Sequence, residues 1–186
     1  YPRPRLARRW LAAALALATA AAAPVHTFAE LPTAAGQPLR KLRVESPAVA
    51  AELARQGARL VADYGSFQVL AAPAAAAPLV AAGSATWADE FDMIELKASP
   101  LITTRAEVQA LRQAVPAFQG KRLHLVQFAG PVKPEWHADL LASGVQIVAY
   151  VPHNAYVVYG DSLALGLMQS WAAIAESVQW EGPYLD

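Results

Sequence analysis

Cysteine is absent from all 186 residues. Disulfide staples are excluded, and so is any thiolate acting as nucleophile or metal ligand, so the core alone must hold the fold. Catalytic wording is equally scarce. There is no Gly-x-Ser-x-Gly turn to present a serine nucleophile and no His-Glu-x-x-His pair to hold zinc. No glycine precedes Gly120-Lys121 at the spacing a phosphate loop requires. The four histidines, His26, His124, His137 and His153, include no metal-binding pair at helical spacing. His124 is expected on a strand, His137 on a solvated helix surface and His153 in a turn. Asp89, Glu90, Asp92 and Glu95 cluster around Phe91 but lack the alternating oxygens and bend glycine of a calcium loop, and read as a solvated rim. No catalytic residue, metal or cofactor is expected in this chain.

Positive charge is concentrated at the front. Arg3, Arg5, Arg8 and Arg9 precede an apolar run from Trp10 to Ala23, and Thr27-Phe28-Ala29 fits a small-x-small cleavage site. That is the build of a secretory signal peptide over residues 1–29. The alternative, a membrane anchor, needs ~20 apolar residues to span a bilayer. The adjacent pair Arg8-Arg9 also hints at the twin-arginine route. Because the sequence opens on Tyr1 and not on methionine, its start is expected to be incomplete or processed. Removing residues 1–29 leaves 11 basic against 15 acidic residues, a net charge of −4. An acidic product lacks the cationic footprint that nucleic acid requires. The expectation is an exported protein, periplasmic, secreted or held in the cell envelope, with neither nucleic acid nor, once mature, a membrane as partner.

Beyond the leader, two stretches share one pattern. In the first, residues 30–98, Leu42 and Val44 alternate as a strand, and Ser46-Pro47 opens a helix that Gly57 closes. Residues 58–64 and 67–72 form a hairpin around Gly65-Ser66, residues 74–82 a short helix, and Phe91 to Leu96 a closing strand. Residues 99–120 read as a connector with one amphipathic helix carrying Val108 and Leu111.

In residues 121–186 the pattern returns with stronger signals. Residues 123–128 alternate as a strand, and Pro134 opens a helix with Trp136 and Leu140 on one face. A hairpin turns at Pro152-His153-Asn154, where Asn154 tolerates positive φ. Leu163, Leu167 and Trp171 recur at helical spacing, and Val178 to Trp180 closes the unit. An offset of 87 carries Pro47 onto Pro134, Leu53 onto Leu140 and Gly57 onto Gly144, which points to duplication.

The predicted fold is therefore α+β: two tandem βαββαβ modules of ferredoxin-like type, each an antiparallel sheet with helices on one face. The other face of each sheet is expected to be free and apolar, a protein-binding surface. An RNA-recognition reading of the same order fails for want of the basic-Gly-aromatic signature and of positive charge.

The phrases Leu125-Val126-Gln127-Phe128-Ala129-Gly130-Pro131, Pro134-Glu135-Trp136 and Tyr150-Val151-Pro152-His153-Asn154-Ala155-Tyr156-Val157-Val158 resemble the N-terminal prodomain of large secreted subtilisin-like serine proteases. Val178-Gln179-Trp180-Glu181-Gly182-Pro183-Tyr184 is similar to the end of that prodomain. The likeness is good over 121–184 and looser over 40–98. It implies a subtilisin propeptide or inhibitor fold and a non-catalytic role as intramolecular chaperone and inhibitor. Its partner would be a subtilisin-like catalytic domain, in cis or in trans. The sheet would dock on the enzyme, with the C-terminal tail in the cleft. Tyr156, Val158, Trp180, Tyr184, Leu185 and Asp186 are then the expected protein-binding residues. The Asp, His and Ser segments of a subtilisin-like triad are missing from these 186 residues, so any peptidase activity would belong to a longer parent. The rival reading is a free-standing secreted or envelope scaffold that binds another protein.

Overall fold

The computed structural model describes residues 39–184; the expected signal peptide, residues 30–38 and the tail residues Leu185 and Asp186 lie outside them. The fold is α+β and its three sheets are antiparallel throughout. The first is built from β1 (Arg40–Val44), β2 (Arg59–Asp63), β3 (Gln68–Ala72) and β4 (Thr86–Trp87), in the order β2-β3-β1-β4. Helices α1 (Pro47–Arg55) and α2 (Ala77–Ala81) cover one of its faces.

Pro47 starts α1 because a first-turn residue needs no N–H and its φ is already helical. Ser46 has the extended backbone of a cap, but its side chain makes no capping bond. Gly57, at φ +92°, ends the helix: its N–H bonds Ala54 O and the next N–H, from Ala58, bonds Leu53 O. These are the paired bonds of a Schellman turn, which demands a left-handed residue. Leu42, Val44, Leu53 and Leu70 form the core beneath.

The closing strand differs from expectation. It is Thr86–Trp87, paired with β1, and Phe91 falls in a 3-10 turn over Asp89–Asp92. Carboxylates decide this, since Asp89 and Asp92 are drawn to Arg40 and Lys41 on β1. Beyond them β5 (Met93–Ile94) pairs with β6 (Leu101–Ile102), both short. The connector helix, α3, is a single turn over Ala106–Gln109.

The second four-stranded sheet contains β7 (Arg122–Phe128), β8 (Gln146–Val151), β9 (Ala155–Gly160) and β10 (Val178–Pro183), ordered β10-β7-β9-β8. This is the connectivity of the first sheet again, with α4 (Pro134–Ala142) and α5 (Ser162–Ala172) on one face. The 87-residue offset carries α1 onto α4 end to end and Gly57 onto Gly144, also at positive φ. It also carries the register break at Val61 in β2 onto the one at Val148 in β8. At the β8–β9 turn His153 as well as Asn154 takes positive φ.

Two expectations fail in this half. Leu163 and Leu167 face solvent, while Ala164, Leu165, Met168 and Ala172 are buried. The helix is apolar nearly all round, so spacing alone left its inner face undetermined. Its orientation is set at its start, where the Asp161 carboxylate accepts from Ala164 N–H (2.9 Å) and Leu165 packs on Gly160. The second failure concerns the open face of this sheet. Leu125, Val151, Ala155, Val157 and Trp180 lie there and are covered by Ile94, Leu96, Leu101, Val108 and Leu111. A surface that apolar is costly in water, and the connector, with Ile94 and Leu96 just before it, is the layer that removes it.

Candidate functional site

The residues expected to bind a partner do not share one surface. Val158 is fully buried against α4 and α5, and Trp180 is fully buried on the opposite side of the sheet, so neither can touch a partner in this structure. Alternation along the intervening strand β7 explains the split: Val158 pairs with His124 and Trp180 with Gln127, positions that point to different faces. Tyr156 is half-buried, edge-on to Phe128 and to Tyr150. Only Tyr184, just past β10, is exposed; Leu185 and Asp186 lie outside the described residues. The most accessible apolar groups are elsewhere: Val148 and Tyr150 on the edge strand β8, Leu60 on β2, and Leu163, Leu167 and Ile174 on and just beyond α5.

Trp180 is locked in place. Its Nε1–H donates to Val108 O (3.1 Å), and its ring lies directly against Gly182. Beside it Gln127, also fully buried, has its polar atoms satisfied. Its amide donates to Met93 O (2.8 Å) and His153 O (3.0 Å), and its oxygen accepts from the Thr103 hydroxyl (2.7 Å). One side chain thus ties connector, sheet and hairpin turn together.

On the helix side a second polar network surrounds Glu181. Its carboxylate lies 2.7 Å from His124 Nε2, accepts from Gln169 Nε2 at 2.9 Å, and sits 3.6 Å from the Arg112 guanidinium. Gln169 also donates to Gln113 O and accepts from Val115 N–H, so α5 grips the end of the connector. Burial pushes the Glu181 carboxyl up, but the bonds from His124 and Gln169 and the charge of Arg112 outweigh it and hold it below its ordinary value.

Between the two halves lies a cleft. The Tyr64 hydroxyl crosses it to donate to Pro131 O (2.7 Å), and a Cβ at Gly130 would stand 2.8 Å from that hydroxyl and displace it. Deeper in, Lys41, on the face of β1 opposite Leu42 and Val44, is buried with Asp92, Nζ to Oδ1 at 3.0 Å, and also donates to Phe91 O. Burial pushes the Lys41 ammonium down and the Asp92 carboxyl up, against their mutual attraction. Arg59, Arg112, Gln179, Thr104 and Glu176 add to the polar lining, with Ala71, Ala129, Ile174 and Val178 among the apolar wall.

The match to known families follows the same layout. A domain of unknown function, DUF8729, matches residues 79–185. The chain belongs to that family. The DUF8729 region opens inside α2, takes in β4 from the first sheet and the whole connector, and runs through β10. It therefore contains the second sheet together with the segment that covers it. No curated protein and no solved structure matches the chain. Among the described residues no helix is long and apolar enough to cross a membrane, and no group of three or more acidic or histidine side chains could hold a metal ion.

The sequence signal for these sites was partial. Alternation puts Lys41 with Arg43 on the outward face of β1, opposite Leu42 and Val44, so nothing marks it as buried, and its partner is 51 residues away. Glu181 and His124 stand 57 residues apart, and nothing in their neighbourhoods announces the pair.

Proposed function

We propose that this chain is a non-catalytic prodomain of an exported subtilisin-like serine protease, acting as its folding assistant and inhibitor. In this reading the two sheets are tandem ferredoxin-like modules. The observation that carries it is the recurring β2-β3-β1-β4 connectivity, which in the second sheet puts β10 at an edge and sends the chain out through exposed Tyr184. The prodomain-like phrases fall on the elements of that sheet: β7, the start of α4, the β8–β9 hairpin and β10. In this reading the chain continuing past that edge strand adds a strand within the protease cleft through backbone hydrogen bonds.

The docking surface is not the open sheet face, which the connector occupies. It is the tail after β10 together with the edge strand β8, whose Gln146–Val151 run carries no charge and exposes Val148 and Tyr150. The purified chain is expected to inhibit a subtilisin-like protease and to raise its refolding yield, in a peptide-hydrolysis assay with and without acid-denatured enzyme. Absence of binding, of inhibition and of refolding assistance would refute the reading.

A further inference from the structure

The cleft between the two halves holds a cavity of about 160 Å³ at the corner where the end of α5 meets β10. Its cations come from three separate elements: Lys41 on β1, Arg59 on β2 and Arg112 beyond α3. Lys41 is paired with Asp92, and Arg112 with Glu181. Arg59 has neither ion pair nor hydrogen bond with any described residue.

Gln179 makes the second observation. It sits at the register break of β10, between Val178 and Trp180, where a bulge re-aims the side chain away from the regular alternation. It lines the cavity, is only 8% exposed, and its carboxamide bonds to no described residue. The side chain as a whole is buried, while its amide atoms keep access to the cavity and are open to a ligand there. Asp92, neutralised by Lys41, and Thr104 also line the wall; apart from Glu176 at the rim the rest is apolar, with Ile174 standing at the mouth, 84% exposed.

We propose that this cavity binds a small organic acid, its carboxylate held by Arg59 and Gln179 and its short apolar body lying against Ala71, Val178 and Ile174. A guanidinium offers a planar pair of donors that matches a carboxylate, and a carboxamide supplies a further N–H to the same oxygens. Inorganic phosphate would leave the apolar wall unused. Glu176, exposed at the rim, disfavours a second negative charge on the far end of the ligand, so a monoacid fits best. The same chemistry is offered by a free short-chain acid and by the C-terminal residue of a peptide. The proposal stands apart from the protease reading, because it concerns the cleft and not the tail or β8.

Calorimetric titration of the purified chain with hexanoate, with N-acetyl-leucine and with N-acetyl-leucine amide tests it. At least one acid is expected to bind saturably and the uncharged amide not to. Hexanoate alone would identify the free acid as the source, and N-acetyl-leucine alone the peptide terminus. Arg59→Ala is expected to weaken binding about tenfold or more, as loss of a charge-assisted bond does. Arg59→Lys should recover only part of this, since the fork is lost while the charge is kept. Gln179→Leu, which keeps the volume, should weaken binding without lowering the melting temperature. Saturation by no acid, equal binding of the amide, or affinity unchanged in both Arg59→Ala and Gln179→Leu would overturn the proposal.

Discussion

Replacing Gly182 by alanine is expected to destabilise the chain by about 3 kcal/mol, between the cost of overpacking a core and that of deleting a buried tryptophan. The clash is direct: a Cβ at this position would stand 2.3 Å from Cζ2 and 2.4 Å from Cη2 of Trp180. Carbon atoms pack best at about 3.5 to 4.0 Å, so the overlap exceeds 1 Å. The ring has nowhere to retreat. It is fully buried among Ile94, Val108, Leu125 and Val157, and its Nε1–H is engaged by Val108 O. Urea denaturation followed by tryptophan fluorescence should show the midpoint falling by about 1 to 3 M, given m-values of roughly 1–3 kcal/mol/M. Gly166→Ala, in open space on α5, is the matched control and should be neutral or stabilising by up to about 1 kcal/mol. The decisive comparison is the double variant. In a Trp180→Leu background the added methyl has room, so Gly182→Ala should cost far less there than in the native chain. Additive losses, or a native-like midpoint for Gly182→Ala alone, would refute the packing argument.

Three further outcomes follow from the polar sites. Lys41→Ala or Asp92→Ala alone should cost about 3 kcal/mol or more by leaving a buried charge unpaired, whereas Lys41→Met with Asp92→Leu should be close to neutral; urea midpoints separate the two cases. Glu181 has a folded pKa below its unfolded one, so its stabilisation is present above the ordinary glutamate range and is lost as pH falls through and below about 4.3. Glu181→Gln should therefore flatten the acid limb of a melting-temperature series between pH 7 and pH 3. Tyr64→Phe removes the hydroxyl that bridges to Pro131 O and should cost about 1 kcal/mol in thermal unfolding, with no loss of secondary structure by circular dichroism.

Local signals located most elements of the fold. Pro47 and Pro134 mark helix starts, Gly57 and Gly144 mark helix ends, and the alternation of residues 123–128 marks β7, because each effect acts within a turn or a strand. The strand at Thr86–Trp87 was missed because two residues are too few for a period, and its place is fixed by ion pairs to β1. The face of α5 was ambiguous for the opposite reason, an excess of apolar residues. For the sites the limit is sequence separation. Gln127 read as an ordinary strand residue, yet its partners lie in β5, in the segment after β6 and in the β8–β9 turn. Nothing in the local wording of Arg59 and Gln179, 120 residues apart, places them on one cavity; only the docking of the two halves does so.

The connector's position over the second sheet bears on how the chain can be cut. A fragment starting at Lys121 would keep every strand and helix of that sheet, yet present Leu125, Val151, Ala155, Val157 and Trp180 to water. Such a piece would carry a ready-made aggregation surface, and Gln127 would lose the hydroxyl and carbonyl that Thr103 and Met93 supply. The shortest recombinant fragment with a chance of staying monomeric therefore begins at or before Met93, and a protease nick anywhere between Ile94 and Leu111 should do more harm than its loop-like sequence implies.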